Sequence, residues 1–187
     1  TGSISSTGAF NATGNVNLAA NITTTNTDLT IGGNLVIAEG MAPTLSTGAG
    51  AGHILVTGTT NGTAVGAAES LTVLAGTGNV TFTGNVGNNT DALELEALTV
   101  TSAATTLFSG KIELANALTQ SAGSVATTFN DTVNVGSAAL TGTAYNLNNS
   151  FSSGGATTIT NSGTLTKNGT GSISSTGAFN ATGNVNL

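Results

Sequence analysis

The sequence has no cysteine, no tryptophan and no arginine, and Pro43 is its one proline. Without cysteine it cannot form the disulfide framework on which small secreted domains usually rely, so a long repetitive core has to supply the stability. Lys111 and Lys167 are the only basic residues apart from one histidine, and the net charge is −6. Nucleic acids and anionic lipids are bound through clustered Lys and Arg, so we expect neither as a partner.

Long apolar runs and catalytic groups are also missing. No apolar stretch approaches the ~20 residues that cross a membrane, so we expect no membrane insertion. His53 is the single histidine, which leaves Ser and Thr almost without a base for nucleophilic catalysis. We therefore expect that the protein is not an enzyme and binds no cofactor.

Thr, Asn, Gly, Ala and Ser dominate what is present. Charged residues make up 5% of the chain and hydrophobic residues 38%, whereas disordered segments combine low hydrophobicity with high net charge. Thr and Val favour strands, and Gly and Asn favour turns. The composition therefore predicts an all-β protein with Gly-Asn and Gly-Gly pairs at its corners.

One segment occurs twice. Residues 1–18 and residues 170–187 both read TGSISSTGAFNATGNVNL, so the chain begins to repeat itself at Thr170. We interpret the chain as part of a tandem array, in which 1–169 is one unit and 170–187 begins the next identical unit. No composition shift indicates an internal domain boundary.

A shorter repeat lies inside the long one. From position 82 onward Phe recurs at steps of 26, 21, 22 and 28 residues, and most of these Phe residues precede alternating Val, Ile or Leu. A unit this short cannot bury its own apolar face and has to stack on its neighbours. We predict a parallel β-solenoid of about seven coils per 169-residue unit, with Asn and Thr ladders outside; tandem β-sandwich domains are the alternative. The residues expected to stack in the core are Phe10, Phe82, Phe108, Phe129, Phe151, Phe179, Val86, Ile112 and Val133.

Two features are candidates for binding. Asp91, Glu94 and Glu96 form the one acidic cluster, which is a weak candidate for a Ca²⁺ site but is better explained as a solvated strand face. Two segments, 41–52 and 58–69, are candidate loops for a glycan or a host surface.

The Gly-, Thr- and Asn-rich runs of the repeat resemble those of a known family. Runs such as Leu45-Ser-Thr-Gly-Ala-Gly-Ala-Gly and Val80-Thr-Phe-Thr-Gly-Asn-Val86 resemble the repeat regions of giant filamentous-haemagglutinin-like exoproteins of Gram-negative bacteria. The resemblance implies a right-handed β-helical shaft, an extracellular or cell-surface location, and a role in adhesion or in a fibre. We expect a structural repeat of a surface fibre, sheath or adhesin shaft whose partners are adjacent copies of the repeat, end to end or side by side. A glycan-binding adhesive module is the alternative.

Overall fold

The structure, a computed structural model, describes residues 2–63, 68–88 and 95–187. Within these residues the chain is all-β and forms a parallel β-solenoid of about eight turns, with stacked coils about 21 residues apart. None of the described residues belongs to a helix long and apolar enough to cross a membrane. The pairing of the strands confirms the parallel β-solenoid that the repeats predict.

Most strands are short. In chain order they are β1 (Ile4–Ser6), β2 (Phe10–Ala12), β3 (Val16–Leu18), β4 (Ile22–Thr24), β5 (Leu29–Ile31), β6 (Leu35–Ile37), β7 (Thr44–Ser46), β8 (Ile54–Val56), β9 (Thr60–Asn61), β10 (Ser70–Leu74), β11 (Val80–Phe82), β12 (Ala97–Ser102), β13 (Thr105–Phe108), β14 (Ile112–Gln120), β15 (Ala126–Phe129), β16 (Val133–Gly142), β17 (Ala144–Leu147), β18 (Phe151–Ser153), β19 (Thr157–Lys167), β20 (Ile173–Ser175) and β21 (Phe179–Asn186).

The strands form three faces that run along the solenoid axis. Face 1 contains β1, β4, β7, β10, β12, the later parts of β14 and β16, and the first parts of β19 and β21. Face 2 contains β2, β5, β8, β11, β13, β15, β17 and the later parts of β19 and β21. Face 3 contains β3, β6, β9, the first parts of β14 and β16, β18 and β20.

Side chains alternate between the interior and the outside, as the period of two in the sequence predicts. In β5, Leu29 and Ile31 are buried while Thr30 between them is partly exposed. The same pattern recurs in β11, where Val80 and Phe82 point inward. Successive strand residues point to opposite sides, so three residues per face are enough to place two apolar side chains in the core.

The turns differ in length. Eighteen residues separate Ile4 from its partner Ile22, whereas 28 separate Leu45 from Val73. In the fully described turn from Ile22 to Leu45, which are 23 residues apart, the additional residues lie at the corners 25–28 and 38–43, outside the paired strands. Variable corners on a constant strand stack explain why the Phe spacing varies while the fold does not.

Gly-Asn pairs and their variants form the corner between faces 2 and 3. Gly33-Asn34, Gly58-Thr59, Gly84-Asn85 and Gly110-Lys111 each precede a residue on face 3. A Cβ on Gly84 would lie 2.4 Å from the carbonyl oxygen of Gly58 in the turn below. Successive turns are therefore too close at this corner for a side chain, which accounts for the column of glycines.

Candidate functional site

The continuous interior is the feature most closely tied to a structural role. Val86, Ile112 and Val133 lie in one column on face 3, paired in register, and all three are buried. Phe151 and then Ile173 continue the same column. The three aliphatic residues singled out in the sequence thus stack in three successive turns.

The Phe residues share no single column. Phe82, Phe108 and Phe129 are in register on face 2, with ring centroids 5.5 and 5.2 Å apart and nearly parallel rings. Leu147 takes the next place on that face, and Phe151 lies on face 3 with its ring edge-on to Phe129 at 5.9 Å. The 22-residue step from Phe129 to Phe151 therefore spans a turn and one further face.

The two remaining Phe residues lie near the ends. Phe10 is on face 2, where it pairs with Leu29 and packs partly buried against the core. Phe179 is on face 1 in the last turn, pairs with Thr157 and is 37% exposed. Its position differs from the buried stack expected for it, because no following turn of this chain covers it.

Polar side chains tie successive turns together at the corner between faces 1 and 2. The backbone N–H of His53 donates to Asp28 Oδ1 at 2.8 Å, and the backbone N–H of Asn79 donates to His53 Nδ1 at 2.9 Å. Asn79 Oδ1 in turn accepts the backbone N–H of Thr105 at 3.2 Å. Each corner residue supplies the acceptor for the turn above, so His53 has a structural role that the sequence did not reveal.

An amide ladder runs along the outside. Asn148 Nδ2 donates to Asn130 Oδ1 at 2.8 Å, and Asn168 Nδ2 donates to Asn148 Oδ1 at 2.9 Å. Stacked amides of this kind bond along the axis of repetitive β structures. The prediction of Asn ladders is confirmed at this edge.

The interior also holds polar groups. Tyr145 is fully buried, and its hydroxyl has no hydrogen-bond partner among the residues that the structure describes. Burial raises the pKa of that hydroxyl well above its usual value. Glu69 is also buried: its Oε1 accepts the Thr63 hydroxyl at 2.8 Å, while Oε2 lacks a partner within the described part of the chain. The sequence did not predict that either residue is buried, because the apolar pattern places Val, Ile, Leu and Phe in the core and Glu69 precedes its strand.

The acidic cluster is described only in part. Asp91 and Glu94 lie outside the described residues. Glu96 accepts a long hydrogen bond of 3.4 Å from Asn116 Nδ2 at an exposed position. Among residues 2–63, 68–88 and 95–187, no group of three or more acidic or histidine side chains could hold a metal ion.

The two candidate loops contain strands. Segment 41–52 includes β7 on face 1, and segment 58–69 includes β9 on face 3; residues 64–67 lie outside the described part. Beside β9 is a shallow polar hollow of about 300 Å³, lined by residues that include Asn61, Asn85 and Lys111. The hollow is lined both by the strand residue Asn61 and by corner residues such as Asn85.

The two ends present apolar side chains and unpaired strand edges. Ile4 is 47% exposed in the first turn, and Val185 is 43% exposed in the last. Ile4 pairs only with Ile22 above it, and Val185 pairs only with Leu165 below it. Unpaired edges of this kind are templates for further strands.

The repeated segment supplies both end regions. Its first copy forms β1, β2 and β3, and its second copy forms β20 and β21. From Ile4 to its copy Ile173 the chain makes seven full turns and then passes two further faces, where the Phe spacing predicted about seven coils. The difference arises because the Phe residues do not mark equivalent positions.

Comparisons with protein-family models, with curated proteins and with solved structures found no match to this chain. The fold and its stacked interior define the class directly: the chain is a parallel β-solenoid built from stacked repeats.

Proposed function

We propose that the chain is a structural repeat of a long extracellular or cell-surface shaft, the stem of a fibre, sheath or adhesin. One observation carries the proposal: the same repeated segment forms the first turn and the last strands, and each copy leaves one edge open. Consecutive units of this kind continue one another's strand stack along the solenoid axis. The resemblance in repeat style to filamentous-haemagglutinin-like exoproteins supports the surface location.

The mechanism of such a shaft is mechanical. Backbone hydrogen bonds run along the axis from turn to turn, as from Leu29 N–H to His53 O and from Ile54 N–H to Asn79 O, both at 2.8 Å. Each turn is held on both sides except at the ends, so local opening requires the loss of two sets of bonds. With 5% charged residues, stability depends mainly on packing and backbone bonds, which salt screens little.

The partners in this proposal are adjacent copies of the repeat, end to end along the shaft and side by side between shafts. No nucleic acid, membrane insertion, cofactor or catalytic role belongs to it.

Electron microscopy of native fibres, or of a polypeptide of several units, tests the shaft. Seven turns and two faces at ~4.8 Å per turn give a rise of about 37 Å per 169-residue unit. Antibodies against the repeat should also label intact, unpermeabilised cells. A rise of roughly 80 Å, which about two globular domains per unit would give, would contradict the shaft. Labelling only after permeabilisation would contradict its location.

A second function is a glycan-binding module on the same scaffold. The polar hollow beside β9 favours it, since amide and ammonium groups of Asn85 and Lys111 can donate to sugar hydroxyls. A glycan array probed with the full chain tests this function, with Lys111→Ala as the variant and Lys167→Ala, at a distant and partly exposed lysine, as the control. Binding lost only with Lys111→Ala supports the module, and an array without binding contradicts it.

A further inference from the structure

The two copies of the repeated segment occupy different faces. In the first copy Ile4 is on face 1, Phe10 on face 2 and Val16 on face 3. In the second copy the equivalent Ile173 is on face 3, paired with Phe151. The remaining two positions are equally displaced: Phe179 is on face 1, where it pairs with Thr157, and Val185 is on face 2, where it pairs with Leu165.

We propose that consecutive 169-residue units are rotated about the solenoid axis by one face, a third of a turn, so that the surface of the shaft repeats only after three units. This inference rests on the proposed tandem shaft and specifies its geometry. It follows from the seven turns and two faces between Ile4 and Ile173, because a unit of whole turns would return the copy to face 1.

The structure shows both sides of the junction between units. The second copy shows what lies below the segment, where Ile173 pairs with Phe151. The first copy shows what lies above it, where Ile4 pairs with Ile22. When the two copies are superimposed, the isoleucine lies between Phe151 of one unit and Ile22 of the next. The Phe and Val positions of the segment likewise gain a paired residue both below and above. The exposed apolar side chains of both ends become core.

The segment can occupy any face because its apolar residues are evenly spaced. Ile4, Phe10, Val16 and Ile22 follow one another at steps of six residues. Each step contains one three-residue strand and one three-residue corner, so the three steps from Ile4 to Ile22 make three equal sides. The Gly-Asn pair of the segment moves with it: Gly14-Asn15 lies between faces 2 and 3 in the first copy, and Gly183-Asn184 lies between faces 1 and 2 in the second. The same pair thus serves at two different corners, and the preceding turns set the angle of the segment.

The rotation determines what a neighbour of the shaft encounters. A corner of one unit, such as the one that includes Met41, points in three directions in three successive units. Along any one side it returns only after three units, about 110 Å at ~4.8 Å per turn. A partner or a second shaft that binds along one side therefore meets the same surface once in three units and not once in each.

Engineered disulfides in the 187-residue chain test the rotation, since the chain has no cysteine of its own. Ser152 and Ser174 are partners on face 3, with hydroxyl oxygens 3.2 Å apart, so Ser152→Cys with Ser174→Cys should oxidise almost completely to an intrachain disulfide. In the unrotated arrangement Ser174 would lie on face 1 above Thr160, in the column that begins at Ser5. Thr160→Cys with Ser174→Cys should therefore remain reduced, as mass spectrometry under dilute, mildly oxidising conditions would show.

An internal pair separates failure of the rotation from failure of the shaft. Asn134 and Ser152 are partners on face 3 inside the stack, so Asn134→Cys with Ser152→Cys should cross-link in any solenoid with this register. If this disulfide forms while the one between positions 152 and 174 does not, or if a disulfide forms between positions 160 and 174, the rotation is overturned and the shaft remains. If the internal pair fails, the solenoid itself is overturned. Electron microscopy of a multi-unit shaft could also show the expected axial rise per unit but no rotation by a third of a turn between units. That result would overturn the rotation and leave the shaft intact.

Discussion

Tyr145 carries a polar hydroxyl group into the buried core of the solenoid. It lies in the core between Thr127 and Leu165, and its hydroxyl has no hydrogen-bond partner within the described part of the chain. A buried hydroxyl without a partner costs free energy that an apolar ring of the same shape does not. Burial also raises the pKa of the hydroxyl, because the phenolate is less well solvated in the core than in water.

Tyr145→Phe should therefore leave the protein as stable or raise its free energy of unfolding by up to about 1 kcal/mol at neutral pH. Because the pKa is raised in the folded state, the wild type should lose stability as pH rises above about 10, the usual value, by up to about 1.4 kcal/mol per pH unit. Urea unfolding between pH 7 and pH 11 measures both effects. An equal alkaline loss in the Tyr145→Phe variant would show that another group is responsible.

His53 is exposed, yet its Nδ1 accepts the backbone N–H of Asn79. The adjacent turns place Asp28 and Asn79 at the equivalent position, and in both it is Oδ1 that accepts. The chain thus uses three residue types for one task, which is to provide an acceptor atom two bonds beyond Cβ.

His53→Ala should lower the free energy of unfolding by at most about 1 kcal/mol, since water can replace part of an exposed bond. His53→Asn, which restores an acceptor at the same distance from the backbone, should recover most of that loss. Denaturant midpoints of the three proteins measure the difference. If His53→Asn were as unstable as His53→Ala, the acceptor would not be the reason for the histidine.

At the scale of elements, the corner glycines set how closely turns can stack. Gly84 has the backbone of Gly58 directly below it, whereas nothing lies within 4 Å of a Cβ built on Gly14 at the same corner of the first turn. The two glycines share a role in the repeat and differ only in whether a turn precedes them.

Gly84→Ala should therefore destabilise the protein by about 1–3 kcal/mol, because the new methyl group meets backbone that cannot move without separating two turns. Gly14→Ala should change the stability by less than about 0.5 kcal/mol. Chemical unfolding followed by circular dichroism distinguishes the two variants. Similar midpoints for both would mean that the corner spacing is not what requires glycine.

The sequence predicts the strands, the corners and their parallel stacking, because these depend on local alternation and on Gly-Asn pairs such as Gly84-Asn85. It does not predict which face a residue occupies. Phe129 and Phe151 are spaced like neighbours in one column, yet they lie on different faces. Corner lengths decide the face, and a corner can gain residues without altering the strands on either side. The roles of His53 and Tyr145 were missed for a related reason, since both depend on the turn above or below.

At the scale of the whole molecule, exposed large apolar side chains concentrate at the ends. Ile4, Phe179, Val185 and Leu187 belong to the first and last turns, whereas Met41, at 36% exposed, and Val125, at 53% exposed, lie on corners inside the stack. The end residues sit beside unpaired strand edges, which favour addition of another chain. Terminal repeats of natural solenoids carry polar caps for this reason.

The isolated 187-residue chain should therefore self-associate end to end as its concentration rises, and salt should weaken this association little because apolar contacts and backbone bonds drive it. A double variant, Ile4→Lys with Val185→Lys, places a charge on each end and should remain monomeric in sedimentation velocity. Val125→Lys introduces the same charge at an equally exposed apolar site away from the ends, so it should associate like the wild type. A wild type that stays monomeric at high concentration would show that the ends do not bind each other, and equal loss of association in both variants would place the contact on the sides of the solenoid.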